Sequence, residues 1–192
     1  MSDFGGPRET NAGRVGTLVG SRIDERIADL RSKDGTVRLN SRKALVALGP
    51  TAVPALVELL RDVHRWTRWE AAKTLGEIHA AGSAEALVTA LEDPVFDIRW
   101  LAAEGLVGLG RTGLIALLKA LTAKGTSSIW LRDGAHHVLS RLPRREQTPE
   151  TLEVRHALEL PWTSIEVPRA ARLALAALRG VEGSVGRQLR RD

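Results

Sequence analysis

One pattern recurs along this chain: VRLNSRKALVALG (37–49), TRWEAAKTLGEIH (67–79), IRWLAAEGLVGLG (98–110) and LRDGAHHVLSRLP (131–143). A fifth segment, VPRAARLALAALR (167–179), follows it with Pro168 in place of the arginine. The recurring arginines are Arg38, Arg68, Arg99 and Arg132, so the steps are 30, 31 and 33 residues, then 36 to Pro168. Self-similarity at that period means stacked supersecondary units, none of which buries its apolar face alone. It constrains the fold far more than the function.

Each arginine block is preceded by a second apolar block: AVPALVELL (52–60), AEALVTAL (84–91) and LIALLKAL (114–121). Val53, Leu56, Val57 and Leu60 fall at helical spacing, as do Leu114, Leu117, Leu118 and Leu121. Leu45 and Leu48, or Leu106 and Leu109, do the same in the arginine blocks. Polar turns such as Glu92-Asp93-Pro94 separate the two helices, and Gly49-Pro50, Gly82-Ser83 and Gly110 stand where a helix should stop. The expectation is five helix pairs, at about 16–49, 51–79, 83–110, 113–143 and 148–180. Residues 1–15 read as a flexible tail, 16–180 as the repeat domain, and 181–192 as a basic tail or short closing helix. Arg26 and Asp29 take positions that are apolar in the second pair, which suits a terminal cap facing water.

The totals agree with an all-α chain. Of 192 residues 43% are hydrophobic and 27% charged, with two Phe and no Tyr. No apolar run approaches the roughly 18 residues of a membrane span, and residues 1–20 have no continuous apolar stretch of the secretory kind. Cysteine is absent, which excludes disulfides and thiolate zinc sites and fits a cytoplasmic location. The net charge of +5 permits an acidic partner or nucleic acid without demanding one.

The pattern [VI]-R-x-x-A-A-x-x-L-G, preceded by an apolar helix and an Asp-Pro turn, resembles HEAT repeats, and most closely the PBS-lyase HEAT-like subtype. The resemblance spans roughly residues 20–180 and is strongest in the second and third pairs. It implies an α-α superhelix whose arginine-bearing helices line the concave side. It further implies that the repeated arginine pairs with an aspartate in the inter-helix turn, Asp62 with Arg68, or Asp93 and Asp97 with Arg99. On that reading Arg38, Arg68, Arg99 and Arg132 are structural. Ser32 and Ala123 stand where pairs 1 and 4 would need the aspartate.

Chemistry has few candidates. The family's iron hydroxylases use His-Glu pairs on successive helices. Here the matching positions are Leu39-Asn40, Trp69-Glu70, Trp100-Leu101 and Asp133-Gly134. No iron site can be assembled from those. The HEAT-like DNA glycosylases use a tryptophan and a carboxylate in a basic groove, and Trp100 with Glu104 resembles such a pair, although Glu70, Glu77 and Glu104 would repel phosphates. Phycobilin lyases resemble the chain in its repeats only. No nucleotide-binding loop, metal motif or catalytic triad is present, so neither a cofactor nor a metal is expected.

Binding has a better footing. Trp69 and Trp100 hold one repeat position, just after the arginine, and Lys43, Lys73, Glu104 and His137 form the next column one helical turn on. With Glu70 these residues, Trp69, Trp100, Lys43, Lys73 and Glu104, are the expected partner-binding set. Two fates are open to the tryptophans: anchors of an interface, or filling between repeats. The expected function is a non-enzymatic scaffold that binds a macromolecule, foremost a protein segment. A nucleic-acid-binding protein or base glycosylase using the same groove is the alternative.

Overall fold

In the computed structural model, which describes residues 11–124, 128–161 and 163–188, the helical periodicity becomes five pairs of α-helices and no strand among those residues. The pairs are α1 (Asn11–Asp29) with α2 (Gly35–Leu48), α3 (Val53–Leu59) with α4 (Arg65–Ile78), and α5 (Ala84–Ala90) with α6 (Phe96–Gly108). Then come α7 (Arg111–Lys124) with α8 (Ile129–Ser140) and α9 (Pro149–Glu159) with α10 (Thr163–Gln188). Residues 11–15, expected in the tail, open α1, and 181–188 continue α10. Residues 1–10 and 189–192 of the two expected tails lie outside the described residues.

The helices stack in two rows. First-row helices pack α1 on α3 and α5 on α7, and the arginine-bearing second row packs α2 on α4, α4 on α6 and α6 on α8. Leucines from both rows meet between them. Leu45, Leu56, Leu75, Leu87, Leu106 and Leu117 are wholly buried, each stabilising the stack by roughly 1.5–3 kcal/mol. Small residues let the second row close up. A Cβ on Gly105 would stand 3.3 Å from Gly76 Cα and 3.0 Å from Leu87 Cδ1, so α4 and α6 touch backbone to backbone.

The last pair breaks the order. α9 packs against α8 and thereby extends the second row, whereas α10 packs against α7 in the first. The segment 167–179, read as a fifth arginine-type helix, therefore changes rows. Its apolar face of Val167, Ala170, Ala171, Ala174, Leu175 and Leu178 is buried. Arg111 Nη2 donates to the Leu178 carbonyl at 2.7 Å and ties the start of α7 to α10.

The turn inside each of the first three repeats is built by one residue. Ser32 Oγ accepts from the Asp34 amide (3.1 Å), Asp62 Oδ1 from the His64 amide (2.8 Å), and Asp93 Oδ1 from the Val95 amide (2.8 Å). Each such bond occupies the chain ahead of a helix N-terminus, where amides have no intrahelical partner. The carbonyls of the same three residues accept from Nη1 of Arg38 (2.8 Å), Arg68 (2.9 Å) and Arg99 (2.8 Å). α2, α4 and α6 each stop at one repeat position with positive φ: Gly49 at φ 63°, His79 at φ 52° and Gly110 at φ 55°.

Candidate binding surface

The arginines do join a ladder, but its carboxylates come from the next repeat. Arg68 Nε and Nη2 donate to Asp93 at 2.7 and 3.2 Å, and Arg38 Nε donates to Glu70 at 3.1 Å. Asp62, expected on Arg68, instead accepts from Arg31 of the preceding repeat at 2.9 Å. This corrects the pairing within one turn: Nη1 is fully engaged by the turn carbonyls, and the rest of the guanidinium faces the neighbouring helix. Arg132 is half-buried, and positions 126 and 127, where its turn carbonyls would stand, lie outside the described residues.

Glu70 belongs to this ladder rather than to an open groove. It is 5% exposed, and its second oxygen accepts from Arg42 Nη1 at 2.8 Å. A carboxylate buried between two guanidinium groups holds α2 to α4 and has no oxygen left for a partner. The sequence carried the signal, since the same repeat position is Leu101 in α6, also buried. Trp69 is half-buried against Ala72, Ile98 and Leu101, with Arg42 over its ring at 5.9 Å. It fills the seam between α4 and α6.

Trp100 holds the same repeat position one helix on and is 47% exposed. Around it stand Phe96, 65% exposed, and Trp130, 39% exposed. Together with Leu39, Val63, Trp66 and Ile129, these exposed apolar side chains all sit at the inter-helix turns or in the first turns of α2, α4, α6 and α8. These seven therefore lie along one edge of the second row, whereas exposed Leu152, Ile165 and Leu173 lie on α9 and α10. Arg99 is the hub: its guanidinium carbon lies 4.8 Å from the Trp130 ring centre and 5.6 Å from that of Phe96. Phe96, Arg99, Trp100, Trp130, Asp133 and His137 line a hollow of about 160 Å³ between α6 and α8. That is below the roughly 300–1,000 Å³ of a pocket that engulfs a small molecule.

The polar column, one residue on each of α2, α4, α6 and α8, is mixed in charge. Lys43 is exposed, and Lys73 lies 3.6 Å from Glu77. Glu104 lies 2.6 Å from His137 Nε2 and 3.8 Å from Arg141, joining α6 to α8. A second hollow, about 440 Å³, lies beside Trp66 and is lined by Arg31, Lys33, Arg38 and His64. There Arg31 and Arg38 are already held by Asp62 and Glu70. Among the described residues no cluster of three or more His, Asp or Glu could hold a metal ion, and no helix is long and apolar enough to cross a membrane.

Two rows of helices, stacked pair on pair and held by an inter-repeat arginine ladder, define an α-solenoid. Residues 23–106 match the family model of HEAT repeats, and the helical solenoid fits that family. No curated protein sequence matches it. Among solved structures it is similar to a chain in the complex of CpcE and CpcF of phycocyanin lyase from Nostoc sp. PCC7120. The two are 23% identical over 81% of this chain and 98% of that one, with a TM-score of 0.51. An engineered protein is 21% identical over 91% of this chain and 85% of its own, with a TM-score of 0.43. A designed armadillo repeat protein is 17% identical over 88% and 87%, with a TM-score of 0.41.

Proposed function

We propose that the protein is a non-enzymatic scaffold whose second-row helices bind another macromolecule, a protein segment, with Trp100 as the anchor. The observation that carries this is the exposure of Trp100, Phe96 and Trp130 side by side at the α6–α8 junction. Large aromatics grouped on a surface mark interaction sites, and tryptophan is prominent among the residues that dominate interfaces. Lys43, Lys73 and Glu104 supply polar contacts around it. The mixed charge of that column favours a polypeptide over a polyanion. Glu104 is held by His137, so the carboxylate of a glycosylase-like pair is already engaged.

The test is capture of interacting proteins by the purified chain, with Trp100→Ala as control. Loss of capture at unchanged helical circular dichroism supports the reading. Capture that persists in Trp100→Ala overturns it. A nucleic-acid partner would announce itself by affinity that falls linearly on a log-log salt plot, with a slope proportional to the phosphates contacted.

A further inference from the structure

The arginine ladder is open at Arg99. Arg38 reaches Glu70 and Arg68 reaches Asp93, each one repeat further on. From Gly105 to Arg132 the chain contains no Asp or Glu, so the fourth repeat has no turn carboxylate to offer Arg99. Arg99 Nη1 is engaged by the carbonyls of Asp93 and Pro94 at 2.8 and 3.1 Å. Its remaining nitrogens meet no carboxylate within ion-pair distance among the described residues, and the ring faces of Trp130 and Phe96 stand beside it instead. An aromatic face stabilises a guanidinium but leaves its in-plane donors unused.

We propose that a partner segment supplies the missing carboxylate: an Asp or Glu side chain seats on Arg99 in the α6–α8 hollow, and a neighbouring large apolar residue of the segment covers Trp100 and Trp130. This rests on the protein-segment reading above. The fork geometry has an internal precedent, since Arg68 takes Asp93 through the same Nε and Nη2 pair. The hollow suits one side chain rather than a free small molecule. Asp133 also lines it, which disfavours a doubly charged phosphate more than a single carboxylate.

The experiment pans random linear peptides displayed on phage against the full chain, then measures the selected peptides by fluorescence anisotropy. The proposal expects sequences with Asp or Glu beside Leu, Phe or Trp. Replacing that acid by its amide in the peptide should weaken binding about tenfold or more, the loss expected of a hydrogen-bonded charge pair. The same replacement should have little effect on binding to Arg99→Gln. The peptide-side change leaves the protein's folding untouched, so the test survives any loss of stability in Arg99→Gln. Selected peptides that need Trp100 but bind equally well as amides overturn the carboxylate seat and leave the protein-segment reading standing. Selection of no peptide whose binding depends on Trp100 overturns both.

Discussion

Arg68 and Asp93 form a forked ion pair across two repeats, Nε to Oδ2 at 2.7 Å and Nη2 to Oδ1 at 3.2 Å. Their side chains are only 13% and 7% exposed. The Asp93 carboxylate raises the Arg68 pKa above its ordinary value, chiefly through the hydrogen bond. Removing one partner of such a pair leaves a buried charge uncompensated. Asp93→Ala should therefore destabilise the fold by about 3 kcal/mol, including loss of the bond to the Val95 amide. Urea unfolding checks it, and a change below about 1 kcal/mol would mean that the ladder is incidental to stability.

Asp62 links the first repeat to the second and should make stability depend on acid. Burial opposes its charge, but the His64 amide, the Arg31 guanidinium and the His64 ring outweigh it and hold the carboxyl below the usual carboxylate range. The unfolded chain titrates near the ordinary value of about 3.9. Stability from this group is thus fully present above that pH and is lost as pH falls through the lower folded value. Asp62→Asn should melt lower than wild type near neutrality, and the gap should narrow toward pH 3 or so. A gap independent of pH would assign the loss to the turn hydrogen bond alone.

The contact of α4 with α6 predicts intolerance at Gly105. An added Cβ meets both Gly76 Cα and Leu87 Cδ1, so Gly105→Val must separate two helices or distort the core. A cost of about 2 kcal/mol is expected for overpacking of this kind. Gly20 has nothing near its missing Cβ and sits inside α1, so Gly20→Ala should instead stabilise by up to about 1 kcal/mol. Thermal melts of both variants separate steric crowding from helix propensity.

The five helix pairs were readable because periodicity reports burial directly, and α-solenoids repeat it. Three features were not. The exchange of rows by α9 and α10 is seen only in the packing of α9 on α8 and of α10 on α7, which no helical period encodes. The carboxylate partner of Arg68 was displaced by one repeat, from Asp62 to Asp93, because a turn aspartate can be reached from either side of the stack. His79 ends α4 without glycine at the position where Gly49 and Gly110 end their helices. Imidazole-bearing residues are among the few that enter the left-handed region with modest strain. The candidate site was half legible: Trp69 and Trp100 align in sequence, yet only the local neighbours of each decide whether it is covered.

Those two tryptophans supply the sharpest test of how function is laid over this scaffold. Trp69 packs on Ala72, Ile98 and Leu101 beneath Arg42, whereas Trp100 stands 47% exposed beside the Arg99 hub. The substitution to alanine removes the same atoms from equivalent positions, so any difference comes from the surroundings. Trp69→Ala should lower stability by about 2 kcal/mol, less than the 3–5 kcal/mol of a fully buried ring. Its effect on binding should then follow folding. Trp100→Ala should lower the melting temperature less than Trp69→Ala does, because nearly half of the Trp100 side chain stays in solvent and it is not part of the core. It should nevertheless reduce peptide or protein capture by roughly 2 kcal/mol or more, as a hot-spot anchor does. Melting curves and binding isotherms on both variants give four values. The reverse pattern, a stability loss at Trp100 and a binding loss at Trp69, would move the binding surface to the α4–α6 seam and away from the α6–α8 hollow.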